Sequence, residues 1–259
     1  SPLPESQPPV LDPLAEPAAR VGWGFIAVLA LTNLGIWTAF FTPIQFLLPL
    51  QVEAIDPAAK ESNLGIVVAV GALVALVASP LAGAFSDRTS ARLGRRRTWV
   101  LWPTLAACGV LALMGGLTTI GGLVLGWALA QLTLNASYAA VTAMLPDQVP
   151  VAQRGTVGAV VGAAQPLGII LGSLIATLVP GDNTAPDGQQ LRYLVVLVVV
   201  LLTAVLFVAA MKDPRLDPER IPAFHLGSFS RAFWVSPREH PDFAWVFVTR
   251  FLVILGTAF

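Results

Sequence analysis

Charged residues are absent from five long stretches of the chain, which are dominated by aliphatic residues, alanine and glycine. The charged residues that bound these stretches are Arg20 and Glu53, Glu61 and Asp87, Arg97 and Asp147, Arg154 and Asp182, and Arg192 and Lys212. A helix needs about 20 mostly apolar residues to cross a bilayer, and the third stretch is long enough for two such helices joined by the turn GGLTTIGG. The pattern predicts an all-α, polytopic membrane bundle with six complete transmembrane helices, at 23–50, 63–85, 98–116, 122–145, 156–179 and 192–211.

The rest of the pattern divides the chain into further regions. Residues 1–20 contain six prolines and indicate a disordered tail, which precedes a six-helix transmembrane bundle at 21–211. Residues 212–242 are rich in proline and charge and indicate a linker between two domains. The apolar run at 243–259 indicates the beginning of a seventh transmembrane helix.

The composition supports a membrane protein and argues against several functional classes. Charged residues make up 12% of the chain, whereas a soluble domain has roughly 25%. The net charge of zero gives no reason to expect a nucleic-acid partner. Cys108 is the single cysteine, so neither an intrachain disulfide nor a cysteine metal cluster can form, and we expect no metal and no cofactor. No nucleophile–base pair or phosphate-binding loop stands out, so we do not expect an enzyme.

Basic residues are distributed unevenly between the two sides of the predicted bundle. Twelve lie in the N-terminal tail, in the loops after the second and fourth helices, and in the segment after the sixth, whereas Lys60 and Arg192 lie on the other side. Cytoplasmic loops of membrane proteins carry an excess of Lys and Arg. We therefore expect a multi-pass protein of the cell (plasma or inner) membrane, with a cytoplasmic tail and a cytoplasmic linker.

The loop after the second helix concentrates charge in the sequence SDRTSARLGRRR, at 86–97. Arginines in a short cytoplasmic loop can act purely as a topology signal that contacts anionic lipid. That role does not explain Asp87, which lies at a helix C-terminus, where the helix dipole disfavours an acid. Asp87 needs an arginine or the N-terminus of another helix as a partner, and such a cluster can act as a latch that forms in one arrangement of the bundle and breaks in another.

Two loop motifs resemble the major facilitator superfamily of transporters. The sequence GAFSDR at 83–88, followed by GRRR at 94–97, resembles the superfamily signature, and its five intervening residues are similar to the glycoside–cation symporter and sucrose-transporter-like branch. The sequence PDQVP at 146–150 with Arg154 resembles the same branch. The resemblance implies that Asp87 contacts a helix N-terminus in the second half of the transporter and stabilises the outward-facing state. It assigns a cytoplasmic gate to Gly83, Asp87, Arg88, Gly94, Arg95, Arg96, Arg97, Asp147 and Arg154.

The resemblance also implies a central cavity lined by the first and fourth helices. Gln131, Asn135 and Tyr138 recur at helical spacing and share one face of the fourth helix. Amides and hydroxyls beside aromatic rings suit a neutral polar solute, although such groups can instead join neighbouring helices. Arg250 is the one charge within a predicted span and needs a partner or a function. The candidate cavity residues are Asn33, Trp37, Gln131, Asn135, Tyr138, Gln165 and Arg250.

These features predict a secondary active transporter that moves a small polar solute, such as a sugar or a glycoside, by alternating access. The resembled branch implies cation coupling, but the six predicted spans contain no carboxylate, so a coupling site must lie elsewhere or the protein is a uniporter. A drug or metabolite efflux antiporter of the same superfamily and a non-transporting membrane scaffold are the alternatives. We expect the partners to be the lipid bilayer, the solute and a C-terminal half that completes the transporter, with a dimerising half-transporter as the other possibility.

Overall fold

The computed structural model describes residues 19–213, residue 17, and five residues near the C-terminus, at 245, 246, 248, 249 and 252. The chain divides into two compact units, Ser1–Arg220 and Ile221–Phe259. In the second unit, the five described residues are helical. Arg250 and nearly all of the predicted tail, linker and seventh helix lie outside the described residues.

Residues 19–213 contain eight α-helices and no β-strand. The helices are α1 (Trp23–Thr42), α2 (Leu48–Ile55), α3 (Lys60–Ser86), α4 (Arg95–Met114), α5 (Ile120–Gln148), α6 (Val151–Gly162), α7 (Ala164–Leu178) and α8 (Gln190–Ala210). A π-helical turn, Pro43–Leu47, joins α1 to α2, and a 3-10 turn, Pro57–Ala59, precedes α3.

In the described part of the chain, these helices form six spans that are long and apolar enough to cross a membrane, which confirms the predicted fold class. Spans 1 to 6 are Trp23–Ile55, Pro57–Ser86, Arg95–Met114, Ile120–Gln148, Val151–Leu178 and Gln190–Ala210. Several spans are longer than predicted because the prediction ended them near charged residues. Span 3 begins at Arg95 rather than at 98, because the Arg95 guanidinium is paired with Asp147 and can therefore be buried at the helix end.

Proline interrupts the first and fifth spans. Pro43 in span 1 has no N–H and cannot donate to the carbonyl four residues earlier. Beyond it, the Leu48 amide bonds to the Pro43 carbonyl five residues earlier, which gives the π-helical turn. In span 5, Pro166 cannot bond to the Gly162 carbonyl, and the helix breaks at Ala163, between α6 and α7.

The six spans pack side by side in the order 2–4–3–6–1–5. If span 1 is exchanged with span 4, span 2 with span 5 and span 3 with span 6, the same order is obtained in reverse. Spans 1 and 4 therefore occupy equivalent places in the bundle. These two spans also contact each other and are the most buried, with 50% and 39% of their apolar windows inside the bundle. Residues of spans 1 and 4 therefore line the interior.

The outer surface of the bundle is apolar. Leu73, Leu113 and Leu178, on three different spans, are between 65% and 75% exposed. Lipid tails are as apolar as leucine, so these side chains are suited to a bilayer rather than to water.

Two groups of polar contacts join the spans at opposite ends of the bundle. The first, which we call the arginine end, contains Asp87, Arg95, Arg96 and Asp147. The second, which we call the amide end, contains Gln51, Gln189, Arg192 and Tyr193.

Candidate functional site

A cavity of about 240 Å³ lies between spans 1 and 4, beside the π-helical turn. Its lining residues are Trp37, Phe40, Phe41 and Ile44 of span 1 and Gln131, Asn135 and Tyr138 of span 4. The Trp37 ring stacks on Phe41 with 5.3 Å between ring centroids and meets the edge of Tyr138 at 5.1 Å. Offset-stacked and edge-to-face pairs are favourable ring geometries, so these contacts hold one wall of the cavity as an aromatic surface.

Two amide side chains form the polar part of the cavity. Nδ2 of Asn135 donates to both the side-chain oxygen and the backbone carbonyl of Gln131, at 2.8 Å in each case. These bonds use the donor group of Asn135 and leave its Oδ1 as an acceptor, next to the Nε2 donor group of Gln131. The pair therefore presents a donor and an acceptor side by side.

Each wall of the cavity is backed by a glycine on a neighbouring span. A Cβ atom added at Gly71 on span 2 would lie 3.2 Å from Cγ of Gln131 and would overlap the ring of Trp127. A Cβ atom added at Gly168 on span 5 would lie 2.9 Å from Cβ of Trp37. A larger residue at either position would push a lining side chain, so these close helix contacts fix both walls from behind.

At the arginine end, Arg96 joins three spans. Its Nε donates to Oδ2 of Asp147 on span 4 at 2.7 Å, and one of its Nη atoms donates to Oδ1 of Asp87 at the end of span 2 at 2.6 Å. The other Nη donates to Oγ of Ser86 at 2.8 Å. The Arg96 side chain is only 4% exposed, and a buried guanidinium requires such partners because an unpaired buried charge is strongly destabilising.

Asp147 is the shared carboxylate of this ion network. Its Oδ2 accepts from Arg95 at 2.7 Å as well as from Arg96. The negative charges of Asp147 and Asp87 thereby balance the positive charges of Arg95 and Arg96. The network ties the start of span 3 to the ends of spans 2 and 4, and Asp87 keeps 51% of its side chain exposed.

A third carboxylate, Asp213, follows span 6 and caps span 3. Its Oδ2 accepts from the backbone amide of Arg96 at 2.5 Å and from that of Arg97 at 2.9 Å. This close approach requires glycine at 94, because Gly94 has a φ of 105° and a Cβ atom there would lie 2.7 Å from Cγ of Asp213. Burial raises the pKa of Asp213, and the two amides and the charges of Arg95 and Arg96 oppose this rise.

The loop motifs, the six spans and the ion network at the ends of spans 2, 3 and 4 all agree with one transporter family. The family model of the Major Facilitator Superfamily matches residues 24–259. The chain belongs to the Major Facilitator Superfamily. It is therefore a multi-pass membrane protein of a transporter family, and the predicted sugar–cation branch within that family stays a prediction. No curated protein matches the chain in a sequence comparison.

In this superfamily member, four of the seven predicted cavity residues meet at the cavity. They are Trp37, Gln131, Asn135 and Tyr138. Asn33 is buried and donates to the Leu29 carbonyl of its own helix at 2.8 Å, so it lies outside the lining. Gln165 is partly buried on span 5 and also lies outside the lining.

The predicted cavity residues did not include Phe40, Phe41 and Ile44, which line the cavity of this superfamily member. The spacing of Phe41, four residues after Trp37, is a signal that could have found it, because such residues are neighbours on a helix. Ile44 lies within the π-helical turn, where helical periodicity no longer indicates which face a residue occupies.

The predicted gate residues of this superfamily member fall into two groups. The ion network brings together Asp87, Arg95, Arg96 and Asp147, and Gly94 and the Arg97 amide contact Asp213. Arg88 donates to the Ala84 carbonyl of its own helix, and Arg154 donates to two carbonyls at the end of span 4. The Gly83 carbonyl accepts from the Asp87 amide at 2.9 Å.

Three residues at the arginine end were not among the predicted gate residues: Ser86 and Gln148, which lie within the two loop motifs, and Asp213. Gln148 donates through Nε2 to the Lys212 carbonyl at 2.7 Å, which attaches the segment after span 6 to the end of span 4. One signal could have found Asp213: like Asp87, it is the first acid after a long uncharged run.

The amide end of this superfamily member joins spans 1, 3 and 6 through neutral groups. Gln51 donates through Nε2 to the Met114 carbonyl at 3.0 Å and to the Pro186 carbonyl at 3.2 Å. Its Oε1 accepts from the Tyr193 hydroxyl at 2.8 Å. Gln51 and Tyr193 are both fully buried, so these bonds satisfy polar groups that water does not reach.

Arg192 is a buried guanidinium at the amide end. Its described hydrogen bonds go to neutral oxygen atoms, namely the Val179 carbonyl, Asn183 Oδ1 and Gln189 Oε1. These contacts attach the loop between spans 5 and 6 to the start of span 6. Within the described residues, no group of three or more His, Cys, Asp or Glu side chains could hold a metal ion.

Proposed function

We propose that this superfamily member is a secondary transporter that moves a small, neutral, polar solute, such as a sugar or a glycoside, by alternating access. The observation that carries the proposal is the cavity between spans 1 and 4, where an aromatic wall lies beside a donor–acceptor amide pair. Its volume of about 240 Å³ is below the roughly 300–1,000 Å³ of a complete small-molecule pocket. This supports a half-site whose second wall comes from the C-terminal half of such a transporter.

The amide pair suits a solute with adjacent hydroxyl groups. Nε2 of Gln131 can donate to one hydroxyl oxygen, while Oδ1 of Asn135 can accept from its neighbour. The ring of Trp37 can cover the apolar C–H face of a sugar ring. None of the seven lining residues is charged, so an ionic solute would lose water there without gaining a counter-charge from them.

We propose that the arginine end is the cytoplasmic gate. The excess of basic residues on this side supports a cytoplasmic location. Asp87 binds Arg96 through Oδ1, and its half-exposed side chain can still accept from the N-terminus of a helix in the second half. Separation of the network would release charges at a place where water can solvate them, which makes the contact reversible.

We also propose that transport is coupled to a cation, because the loop motifs resemble the glycoside–cation symporter branch. The cavity lining contains no carboxylate, so this part of the chain offers no intramembrane acid to bind a proton or a sodium ion beside the solute. We propose that the coupling group lies C-terminal to residue 213. Uptake measured with and without an imposed sodium or proton gradient tests whether transport is coupled to either cation, and uptake that neither gradient changes would contradict the coupling.

Transport assays on the full-length protein in proteoliposomes test the proposed solute. We expect uptake of at least one radiolabelled monosaccharide, disaccharide or glucoside. Asn135→Ala should lower that uptake about tenfold, because it removes a solute contact worth ~1 kcal/mol and also releases Gln131 from its fixed position. Thr133→Ala on the same helix, whose hydroxyl bonds to its own backbone, is the matched control and should stay within about twofold.

The same assay separates the alternatives. Transport of a lipophilic cation such as tetraphenylphosphonium, without transport of any sugar, would contradict the proposal and favour an efflux antiporter. No transport of any solute by correctly folded protein would contradict it in favour of a scaffold.

The glycine contacts test the cavity more specifically. Gly71→Ala and Gly168→Ala should each raise the KM for the transported sugar, because a Cβ atom at either position pushes Gln131 or Trp37. Gly65→Ala on span 2 is the matched control, since a Cβ atom there meets nothing within 4 Å. An unchanged KM in both test variants would contradict the assignment of this cavity as the solute site.

A further inference from the structure

The segment that leaves span 6 is attached to the arginine end at two points. Asp213 accepts from the first-turn amides of span 3, and the Lys212 carbonyl accepts from Gln148 at the end of span 4. The start of span 3 and the end of span 4 are also the elements that the ion pairs of Asp147 join. The segment after span 6 therefore holds the same two helix ends as the ion network.

The side chain of Asp213 caps the first turn of span 3. The first amides of a helix have no partner within the helix, and an acidic oxygen satisfies them and interacts well with the positive end of the helix dipole. Arg95 and Arg96 are the first two residues of span 3. The conformation of this first turn therefore determines where their guanidiniums lie relative to Asp147.

We propose that Asp213 is a positioning residue of the arginine end: it holds the first turn of span 3 so that Arg95 and Arg96 meet Asp147, and it makes the ion network depend on the segment that follows span 6. The inference rests on the proposed function, in which this network is the gate. It gives the connection between the two halves of the transporter a role in closing that gate.

Ser86 provides a reporter that needs no known solute. Its side chain is fully buried and accepts from Arg96, so the thiol of Ser86→Cys in a Cys108→Ala background should react slowly with N-ethylmaleimide while the network is intact. In the full-length protein in proteoliposomes, we expect Asp213→Ala to raise the labelling rate about fivefold, which corresponds to a cap worth ~1 kcal/mol. Asp213→Asn should stay within about twofold of the parent, because its amide oxygen can still accept from the two backbone amides.

The native Cys108, without Ser86→Cys, is the matched control reporter. It is buried in the interior of span 3, so its labelling should not change in Asp213→Ala unless the whole bundle loosens. Parental labelling of Ser86→Cys in Asp213→Ala would overturn the inference. Equal acceleration at Cys108 would overturn it too, and so would an Asp213→Asn variant that labels as fast as Asp213→Ala.

Gly94→Ala tests the same contact from the other side. A Cβ atom at 94 would displace Asp213, so this variant should accelerate labelling of Ser86→Cys as Asp213→Ala does. Gly109→Ala on the same helix meets nothing within 4 Å and should label at the parental rate. If these variants label faster but the protein transports no sugar, the proposed solute is refuted and the positioning role of Asp213 is retained. If labelling is unchanged in both Asp213→Ala and Gly94→Ala, the positioning role is refuted, whatever solute the protein transports.

Discussion

The two ends of the bundle hold their spans together with different chemistry. At the arginine end, Arg96 joins Asp87 and Asp147 through charged hydrogen bonds, and Asp87 is half exposed. At the amide end, Gln51 and Tyr193 are joined by a neutral bond inside a fully buried site. Ions that separate at a membrane surface can be hydrated, whereas an amide and a phenol that separate within a sealed core lose their partners without replacement. We therefore expect the arginine end to open reversibly and the amide end of this bundle to stay closed.

Of the changes considered at the two ends, Arg96→Ala should cause the largest loss of stability. It leaves Asp87 without this partner and Asp147 with Arg95 alone. Because Asp87 is half exposed and Asp147 stays paired, the loss should be about 2–3 kcal/mol, below the cost of an unpaired buried charge. Thermal unfolding of the purified protein in detergent measures the loss. Arg96→Lys should recover only part of it, because an ammonium group lacks the planar fork that reaches two carboxylates and Ser86 together. An Arg96→Ala variant as stable as the parent would show that the network contributes no stability.

Tyr193→Phe should have an intermediate effect at the amide end. It leaves Oε1 of Gln51 buried without its donor, which costs about 1–2 kcal/mol in the free energy of unfolding. Transport by the folded fraction should stay within about twofold, because the amide end does not open. Combining Tyr193→Phe with Gln51→Leu should cost less than the sum of the single changes, since the two residues share one bond. A large loss of transport in Tyr193→Phe without a loss of stability would contradict the expectation that only the arginine end opens.

The pH dependence of Asp213 should be the smallest of the three effects. Burial raises its pKa above the usual 3.8, so the folded state binds this proton more tightly than the unfolded state does. The stability that results is complete below the unfolded pKa and is lost as pH rises through the raised pKa. Asp213→Asn cannot ionise, so its melting temperature should rise relative to that of the parent as pH rises from about 4 to 7.

Asp182, near the amide end, is the matched control for this experiment. The hydroxyl and amide of Thr184 hold the pKa of Asp182 below its usual value, so its contribution is present at higher pH and is lost as pH falls. The melting temperature of Asp182→Asn should therefore not rise relative to the parent over the same pH range. If the melting temperatures of Asp213→Asn and Asp182→Asn changed with pH in the same way, burial would not be the main influence on the pKa of Asp213.

The sequence pattern was sufficient to predict the six spans, because a helix that crosses a bilayer must keep unpaired charges out of its interior. It was also sufficient to place Gln131, Asn135 and Tyr138 together, because residues at helical spacing share one face whatever the tertiary structure. It was insufficient for Asn33, which lies one turn from Trp37 yet is covered by packing and bonds to its own helix.

The contacts that join distant parts of the chain could not be predicted from the sequence. Asp213 and the amide of Arg96 are 117 residues apart, and Gln51 and Tyr193 are 142 residues apart. These pairs meet only because of the order in which the spans pack, which no local pattern encodes. Asp87 was predicted to need a compensating partner, but the choice of Arg96 depends on where the first turn of span 3 lies.

The most direct test of reversible opening at the arginine end is the sidedness of labelling at Ser86→Cys, in the Cys108→Ala background and in oriented vesicles that contain the full-length protein. A membrane-impermeant maleimide is applied to one side at a time, with and without the transported sugar. We predict labelling from the cytoplasmic side, at a rate that changes severalfold when the sugar is present, because the arginine end opens and closes during transport. Labelling from the outer side alone, or a cytoplasmic rate that the sugar does not change, would contradict this prediction.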